Sequence, residues 1–320
     1  MRNSQNQVSF CTIVTLNYMP FAKTLFQSIN RFDKKAKFVV LIVDERKGRS
    51  IHNDFDCISL DELSFFPQVN VLKKKYSPSS DELRWSLKPY LMRYLLEYKK
   101  TEMVFYVDSD IYFYSCFKFL YDTLNNCPIL LSPHWGCMDP KKSESYFSRL
   151  LTDGVYNAGF IGATMKGIHA LNWWGEMCLY SCEKSKLKGF YDDQKYLDII
   201  PIYCPDSRII EHRGCNVGEW NRFECERIMD GGKLLINNEF PIIFIHFSNI
   251  GYLVEYDKVL IPFLKEYSQK LMENGLSFNF YQSGVNYLKR KKLRSLNLFQ
   301  RIYRKIIGER KFNELQKWDI

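Results

Sequence analysis

The chain has 320 residues, 46% of them hydrophobic, enough apolar material for a substantial core and too much for a disordered segment. No run reaches the roughly 18 to 20 apolar residues that cross a bilayer, and the opening MRNSQNQVSFCTIVTL lacks the charged-then-apolar plan of a secretion leader, so the expected location is cytoplasmic or peripheral on the inner face of the cytoplasmic membrane. The formal charge of +9 is local: ten Lys/Arg and one acid, Glu309, lie between Lys289 and Lys311, and a charge so confined argues against a nucleic-acid partner, which calls for cations spread over a domain face.

Strand and helix signals alternate through the first half. VSFCTIVTL (8 to 16) reads as a strand, a helix begins near Pro20, FVVLIVD (38 to 44) is a second strand, and a Leu/Tyr-rich helix covers residues 82 to 98 before the strand that ends in Asp108. Near-continuous apolar strands separated by helices predict an α/β fold with a mainly parallel sheet flanked by helices. The second half carries shorter apolar segments at PILLSPH (128 to 134), VYNAGFIGAT (155 to 164), a Trp-containing helix after Gly167, and PIIFIHFS (241 to 248). No repeat or linker interrupts them, so one domain over 1 to 280 is expected, followed by a separate basic helical tail over 281 to 320. The ten cysteines are scattered with no Cys-x-x-Cys, and read as reduced, mostly buried thiols rather than disulfides or a zinc site.

VFYVDSDIYFY (104 to 114) is the most informative stretch, because Asp108 and Asp110 sit one residue apart, with Ser109 between them, where an apolar strand ends. Hard cations such as Mg²⁺ or Mn²⁺ take oxygen ligands, and Mg²⁺ binds one or two carboxylates plus substrate phosphates. In open α/β sheets ligands bind beyond the carboxyl ends of the strands, so partners are sought at other strand ends. Thr15 and Asn17 follow the first strand and Asp44 ends the second, positions suited to base and ribose. His246 closes PIIFIH, either as a core histidine satisfied by a carbonyl or as a third metal ligand; His134 is a lesser candidate for that role. In YNAGF, Gly159 permits close backbone approach and Asn157 offers a donor and an acceptor to a sugar hydroxyl. Asp192, Asp193 and Gln194 open a helical segment, as caps, as sugar or catalytic groups, or as both. Arg84 and Lys88, one helical turn apart in LRWSLKPY, are candidates to clamp phosphate.

Taken in order, TLNYMPFAKTLFQSI, WSLKPYLMRYLL, YVDSDI, YNAGFIG, DDQ, GCNVGEWN and IHFS resemble the nucleotide-sugar-dependent glycosyltransferases of the GT-A fold, a Rossmann-like architecture, and in particular the family 8-like enzymes of bacterial polysaccharide and lipopolysaccharide synthesis. The likeness covers residues 8 to 250. It implies a hexosyltransferase with a UDP-sugar donor bound through Mn²⁺ or Mg²⁺ by Asp108, Asp110 and His246. It further implies a glycan or lipid-linked glycan acceptor, with Asn157, Asp193 and Gln194 as the catalytic group lining the donor sugar. The segment IHFSNIGYLVEYD keeps Gly251 but lacks the lysine that family 8 enzymes carry after their late histidine. Retention of configuration is implied by similarity, and an inverting route with Asp193, Glu211 or Glu219 as base stays open.

Two other classes compete with this one. Sugar nucleotidyltransferases share the architecture but carry a Gly-rich loop after the first strand, and TLNYMPFAK has no glycine. A non-catalytic carbohydrate-binding protein of the same fold has no need of intact DSD and DDQ motifs. In the tail, residues 288 to 311 gather Leu293, Leu296, Phe299, Tyr303, Ile306 and Ile307 against Arg294, Arg301, Arg304 and Lys305. That pattern suits either a helix lying on an anionic membrane surface or one packed on the domain.

Overall fold

The computed structural model describes residues 7–44 and 54–295. The chain divides into two compact units, one reaching Ser248 and including Glu273–Gly275, the other made of Asn249–Met272 and the residues from Leu276 on. That division comes earlier than the expected boundary at 280.

In the first unit the elements run β1 (Val8–Val14), α1 (Met19–Asn30), β2 (Lys37–Ile42), β3 (Asp56–Ser59), α2 (Pro67–Lys75), α3 (Asp81–Glu97), β4 (Met103–Val107), β5 (Ile111–Phe113), α4 (Phe119–Asn125), β6 (Ile129–Pro133), α5 (Glu144–Thr152), β7 (Tyr156–Thr164) and α6 (Ile168–Tyr180). Shorter pieces follow: β8 (Lys184–Ser185), β9 (Phe190–Tyr191), α7 (Ile200–Tyr203), β10 (Arg208–Ile209), the antiparallel trio β11 (Arg227–Asp230), β12 (Lys233–Ile236) and β13 (Phe240–Pro241), and β14 (Phe244–His246).

Seven strands form one sheet in the order β10-β6-β7-β4-β1-β2-β3. All its pairings are parallel except those of β7, which runs antiparallel between β4 and β6. The expected α/β class with a mainly parallel sheet is therefore observed. All seven residues of β1 are buried because helices cover both faces. Cys11 and Ile13 pack with Leu87 and Leu91 of α3, while Phe10 and Val14 pack with Leu25 and Ile29 of α1. The two-residue period of the strand thus feeds two cores, one on each side of the sheet.

Helix α3 carries Arg84 and Lys88. It begins where Ser80, in extended backbone, accepts the Leu83 amide proton on its hydroxyl, with Asp81 and Glu82 complementing the dipole in the first turn. Pro89 lies in its interior and has no N–H for the Trp85 carbonyl, so α3 depends on packing, and Leu83, Leu87, Tyr90, Leu91 and Leu95 are buried along it.

Among the described residues the second unit holds three α-helices: α8 (Ile250–Tyr256), most of α9 (Ile261–Glu273) and α10 (Phe280–Ser295). Asn249 caps α8 through the Tyr252 amide, the Ser268 hydroxyl accepts from the Tyr281 amide, and Lys291 pairs with Glu255 at 2.9 Å. The beginning of the expected basic helix over 288 to 311 is thus helical, and residues 296–311 lie outside the described residues. Among the described residues no helix is long and apolar enough to cross a membrane, and all ten cysteines are free, eight of them buried.

Replacing the α3 cap, Ser80→Ala, should lower unfolding stability by about 1 kcal/mol, within the usual range for such caps. Urea titration reads this directly, and an unchanged midpoint would mean that packing alone fixes the start of α3.

Candidate functional site

A cavity of about 410 Å³ opens beside the carboxyl ends of β1 and β4. Three strand-level features bring the candidate metal ligands to its wall. β4 ends at Val107, which delivers Asp108; the chain turns, with the Ile111 amide donating to the Asp108 carbonyl, and continues as β5. β5 then pairs antiparallel with β14 in a register that sets Ile111 against His246. The Phe247 amide donates to the Asp110 carbonyl at 2.9 Å, and the His246 amide to the Val217 carbonyl at 2.9 Å, so the histidine is pinned from both sides.

His246 Nε2 consequently lies 3.1 Å from Asp110 Oδ1 and 3.8 Å from Asp108 Oδ2. One ligand atom from each of the three residues falls within 4.8 Å of the others. The room for this cluster exists because residue 159 is glycine: a Cβ there would stand 2.5 Å from His246 Cε1 and 2.8 Å from Asp108 Oδ2. Two carboxylates and an imidazole converging on a space kept open by a glycine fit a hard or borderline divalent cation such as Mn²⁺ or Mg²⁺. Without such a cation, burial disfavours the charged ring but Asp110 and Asp108 outweigh it and raise the His246 pKa; in return His246, opposing burial, lowers that of Asp110. The Tyr106 hydroxyl donates to Asp108 Oδ1 at 2.9 Å and orients the carboxylate from behind.

Lys88 reaches the same wall from α3. Its Nζ sits 3.1 Å from the Ala158 carbonyl, 3.2 Å from Asp193 Oδ2 and 3.4 Å from Asp108 Oδ1, and its side chain is 3% exposed. Burial opposes the charge, yet Asp108 and Asp193 hold the ammonium protonated with a raised pKa. One ammonium cannot fully neutralise two carboxylates. Asp193, 1% exposed, is the one that gives way, and burial pushes it up to about 8 against the pull of Lys88. Gln194 is fixed by its own amide, which donates to the Asp153 carbonyl at 2.9 Å and accepts from the Ala158 amide at 3.3 Å.

Asn157, buried in β7, accepts from the Gly159 amide on Oδ1 at 2.8 Å and turns its NH₂ to His134 Nε2 at 3.1 Å. Burial lowers the His134 pKa to about 4, so the ring is neutral at ordinary pH.

The structure therefore brings Arg84, Lys88, Asp108, Ser109, Asp110, Asn157, Asp193, Gln194 and His246 to one cavity. Thr15, Asn17 and Asp44 are not among its lining residues. Asp44 Oδ1 instead accepts the Leu16 amide at 2.8 Å, Thr15 is buried and Asn17 is exposed. Of the three bases considered for inversion, only Asp193 lines the cavity; Glu219 is buried under Tyr146 and Arg149, and Glu211 is absent from the wall. Asp192 does not cap the following helical segment: its Oδ1 accepts from the Gln194 amide, while Gln194 stands at the cap position without a side-chain bond. Arg84 is bound to Asp81 and to the Ser79 carbonyl. The sequence reading gave no role to Tyr106, Tyr146, Arg149, Lys184 or Trp220, all of which line the cavity. Trp220 alone carried a signal, in GEWN, where Gly218 leaves room for its ring.

No protein-family model matches the chain. It is similar to two uncharacterized proteins of Bacillus subtilis (strain 168): YfnF, 27% identical over 283 residues that make up 82% of this chain and 91% of YfnF, and YfnD, 24% identical over 252 residues, 77% and 79% of the respective chains. Among solved structures it is similar to the galactosyltransferase LgtC in complex with donor and acceptor sugar analogues, at 14% identity and a TM-score of 0.49, over 87% of this chain and 99% of LgtC. Mouse xyloside xylosyltransferase 1, apo form, gives 13% identity and a TM-score of 0.45 over 76% of this chain and 97% of that one.

Gly159→Ala should leave the sheet intact and weaken Mn²⁺ binding by about 10- to 100-fold, the scale on which metal sites respond to disturbed supporting groups. Electron paramagnetic resonance of free Mn²⁺ during titration measures it, and wild-type affinity in the variant would contradict the ligand assignment.

Proposed function

We propose that this protein is a metal-dependent glycosyltransferase of GT-A type that transfers a hexose from a UDP-sugar to a glycan acceptor, with Asp108, Asp110 and His246 holding Mn²⁺ or Mg²⁺. The observation that carries the reading is the convergence of these three residues with Lys88, Asn157, Asp193 and Gln194 on one cavity at strand ends.

Charge pairing supports it. Each of the four cations lining the cavity already faces a carboxylate: Arg84 faces Asp81, Lys88 faces Asp108 and Asp193, Arg149 faces Glu219 and Asp153, and Lys184 faces Asp192. A diphosphate entering this space finds little unspent positive charge among the described residues of the cavity wall. Asp108, Asp110 and His246 would hold a divalent cation, which would supply the missing positive charge for the leaving diphosphate.

The remaining work belongs to the chain. Lys88, paired with both carboxylates, keeps Asp108 and Asp193 side by side. Asn157, Asp193 and Gln194 orient the sugar hydroxyls, and Asp193, whose carboxyl burial pushes up to about 8, can meet one of them as a hydrogen-bond donor when protonated. In the transfer, the bond from the anomeric carbon to the phosphate oxygen breaks and one to the acceptor oxygen forms. The acceptor proton leaves on the diphosphate in a retaining route, the route favoured here by resemblance, or on Asp193 in an inverting one. A place in surface polysaccharide or lipopolysaccharide assembly, and contact of residues 288 to 311 with an anionic inner membrane face, complete the proposal; the described start of that segment carries Lys289, Arg290 and Lys291 on a helix.

The test is release of UDP from a panel of UDP-sugars with Mn²⁺. Wild type should turn over at least one donor, chelation should stop it, and Asp110→Ala should cost about 10² to 10³ in rate, as losing a principal transition-state stabiliser does. Equal release by folded Asp110→Ala, or none from any donor, would overturn the assignment and favour a binding protein.

A further inference from the structure

The amide of Asn157 has two orientations by shape, and its neighbours permit one. The Gly159 N–H donates to Oδ1 at 2.8 Å, so the NH₂ group must face the other way, to His134 Nε2 at 3.1 Å. His134 Nδ1 lies 2.9 Å from the Gly154 carbonyl, which can only accept. The ring therefore carries its proton on Nδ1 and presents Nε2 as an acceptor. The series continues at its far end, where the Asp108 N–H donates to the Gly159 carbonyl at 2.8 Å. Hydrogen bonds thus run from the Gly154 carbonyl through the imidazole and the amide to residue 159, whose own carbonyl ties the strand carrying the first metal-ligand candidate.

We propose that His134 is the positioning residue of the donor-sugar subsite: by accepting one amide proton of Asn157 it fixes that amide's carbonyl on Gly159 and leaves its second N–H for a sugar hydroxyl. The inference rests on the glycosyltransferase reading and deepens it. The opposite tautomer, or a ring protonated on both nitrogens, sets N–H against NH₂. Asn157 then either loses the bond or turns over, and a turned amide sets its NH₂ against the Gly159 N–H. Either outcome leaves buried polar groups without partners, the costly case for a hydrogen bond. The ring has little freedom to escape, since Trp220 packs edge-on against it, with ring centres 5.9 Å apart and planes at 89°.

Two substitutions separate positioning from packing. In His134→Gln a carbonyl oxygen takes the place of Nε2 and accepts from Asn157. In His134→Asn the amide takes the place of Nδ1 and reaches only Gly154. With Mn²⁺ present, UDP should bind wild type and both variants within about twofold of one another, while UDP-sugar turnover falls on the order of tenfold in His134→Asn and recovers most of that loss in His134→Gln, the scale of one hydrogen bond. Equal losses in the two variants, or none in His134→Asn, would overturn the proposal. Nitrogen-15 NMR of labelled histidine in the wild-type protein reads the tautomer independently of folding in the variants and of any sugar chemistry. A neutral His134 protonated on Nδ1 supports the proposal, and protonation on Nε2 refutes it. Absence of UDP binding by wild type would count against the glycosyltransferase reading, and the NMR result would still decide the tie between His134 and Asn157.

Discussion

The candidate site depends on one buried ammonium. Lys88 comes from α3, Asp108 from the end of β4 and Asp193 from the loop after β9, and the two carboxylates converge because a cation stands between them. Desolvating a charge is expensive, and removing one partner from a buried pair typically costs about 3 to 5 kcal/mol because the other is left uncompensated. The whole of α3, from the Ser80 cap through an interior proline, acts as the support that holds this one amine in place. Burial raises the proton affinity of Asp193 against the pull of Lys88, and Asp192 and Asp108 beside it add to the rise.

Much of the fold was legible because its signals are local. The apolar runs at 8 to 16 and 38 to 44 could only be covered strands, and they are β1 and β2; the Leu/Tyr-rich helix expected over 82 to 98 is α3, Asp81–Glu97. The Asp-x-Asp at a strand end was equally local. That His246 joins it was inferred from an apolar run ending in histidine, and the cause proved to be the antiparallel register of β5 and β14, a pairing across more than a hundred residues that periodicity cannot reveal.

What stayed illegible is non-local. Lys88 was read as a phosphate clamp because a helix spacing shows only which residues share a face; three protein oxygens already surround its amine. Asp44 was read as a ribose contact by strand-end position, and its carboxylate is engaged by the Leu16 amide. The strand-end position of His134 suggests only a lesser metal-ligand candidate, and its ring instead faces the Gly154 carbonyl and Asn157. The two meet where β6 and β7 change register between Leu131 and Ser132, a non-local irregularity that no sequence spacing shows. Arg149 and Tyr146 reach the cavity from α5, where the sequence shows an unremarkable short helix.

Charge links these pieces. The cavity gathers carboxylates faster than cations, pairs the cations it has, and keeps two acids and a histidine around a space that Gly159 leaves open. On the proposed reading a diphosphate would enter such a site together with a cation. The most direct measurement is calorimetric titration of UDP into wild type and Asp110→Ala, each with and without Mn²⁺. The account predicts binding by wild type that requires Mn²⁺ and is lost in Asp110→Ala; UDP binding of equal strength with and without the metal, or undiminished in the variant, would contradict it.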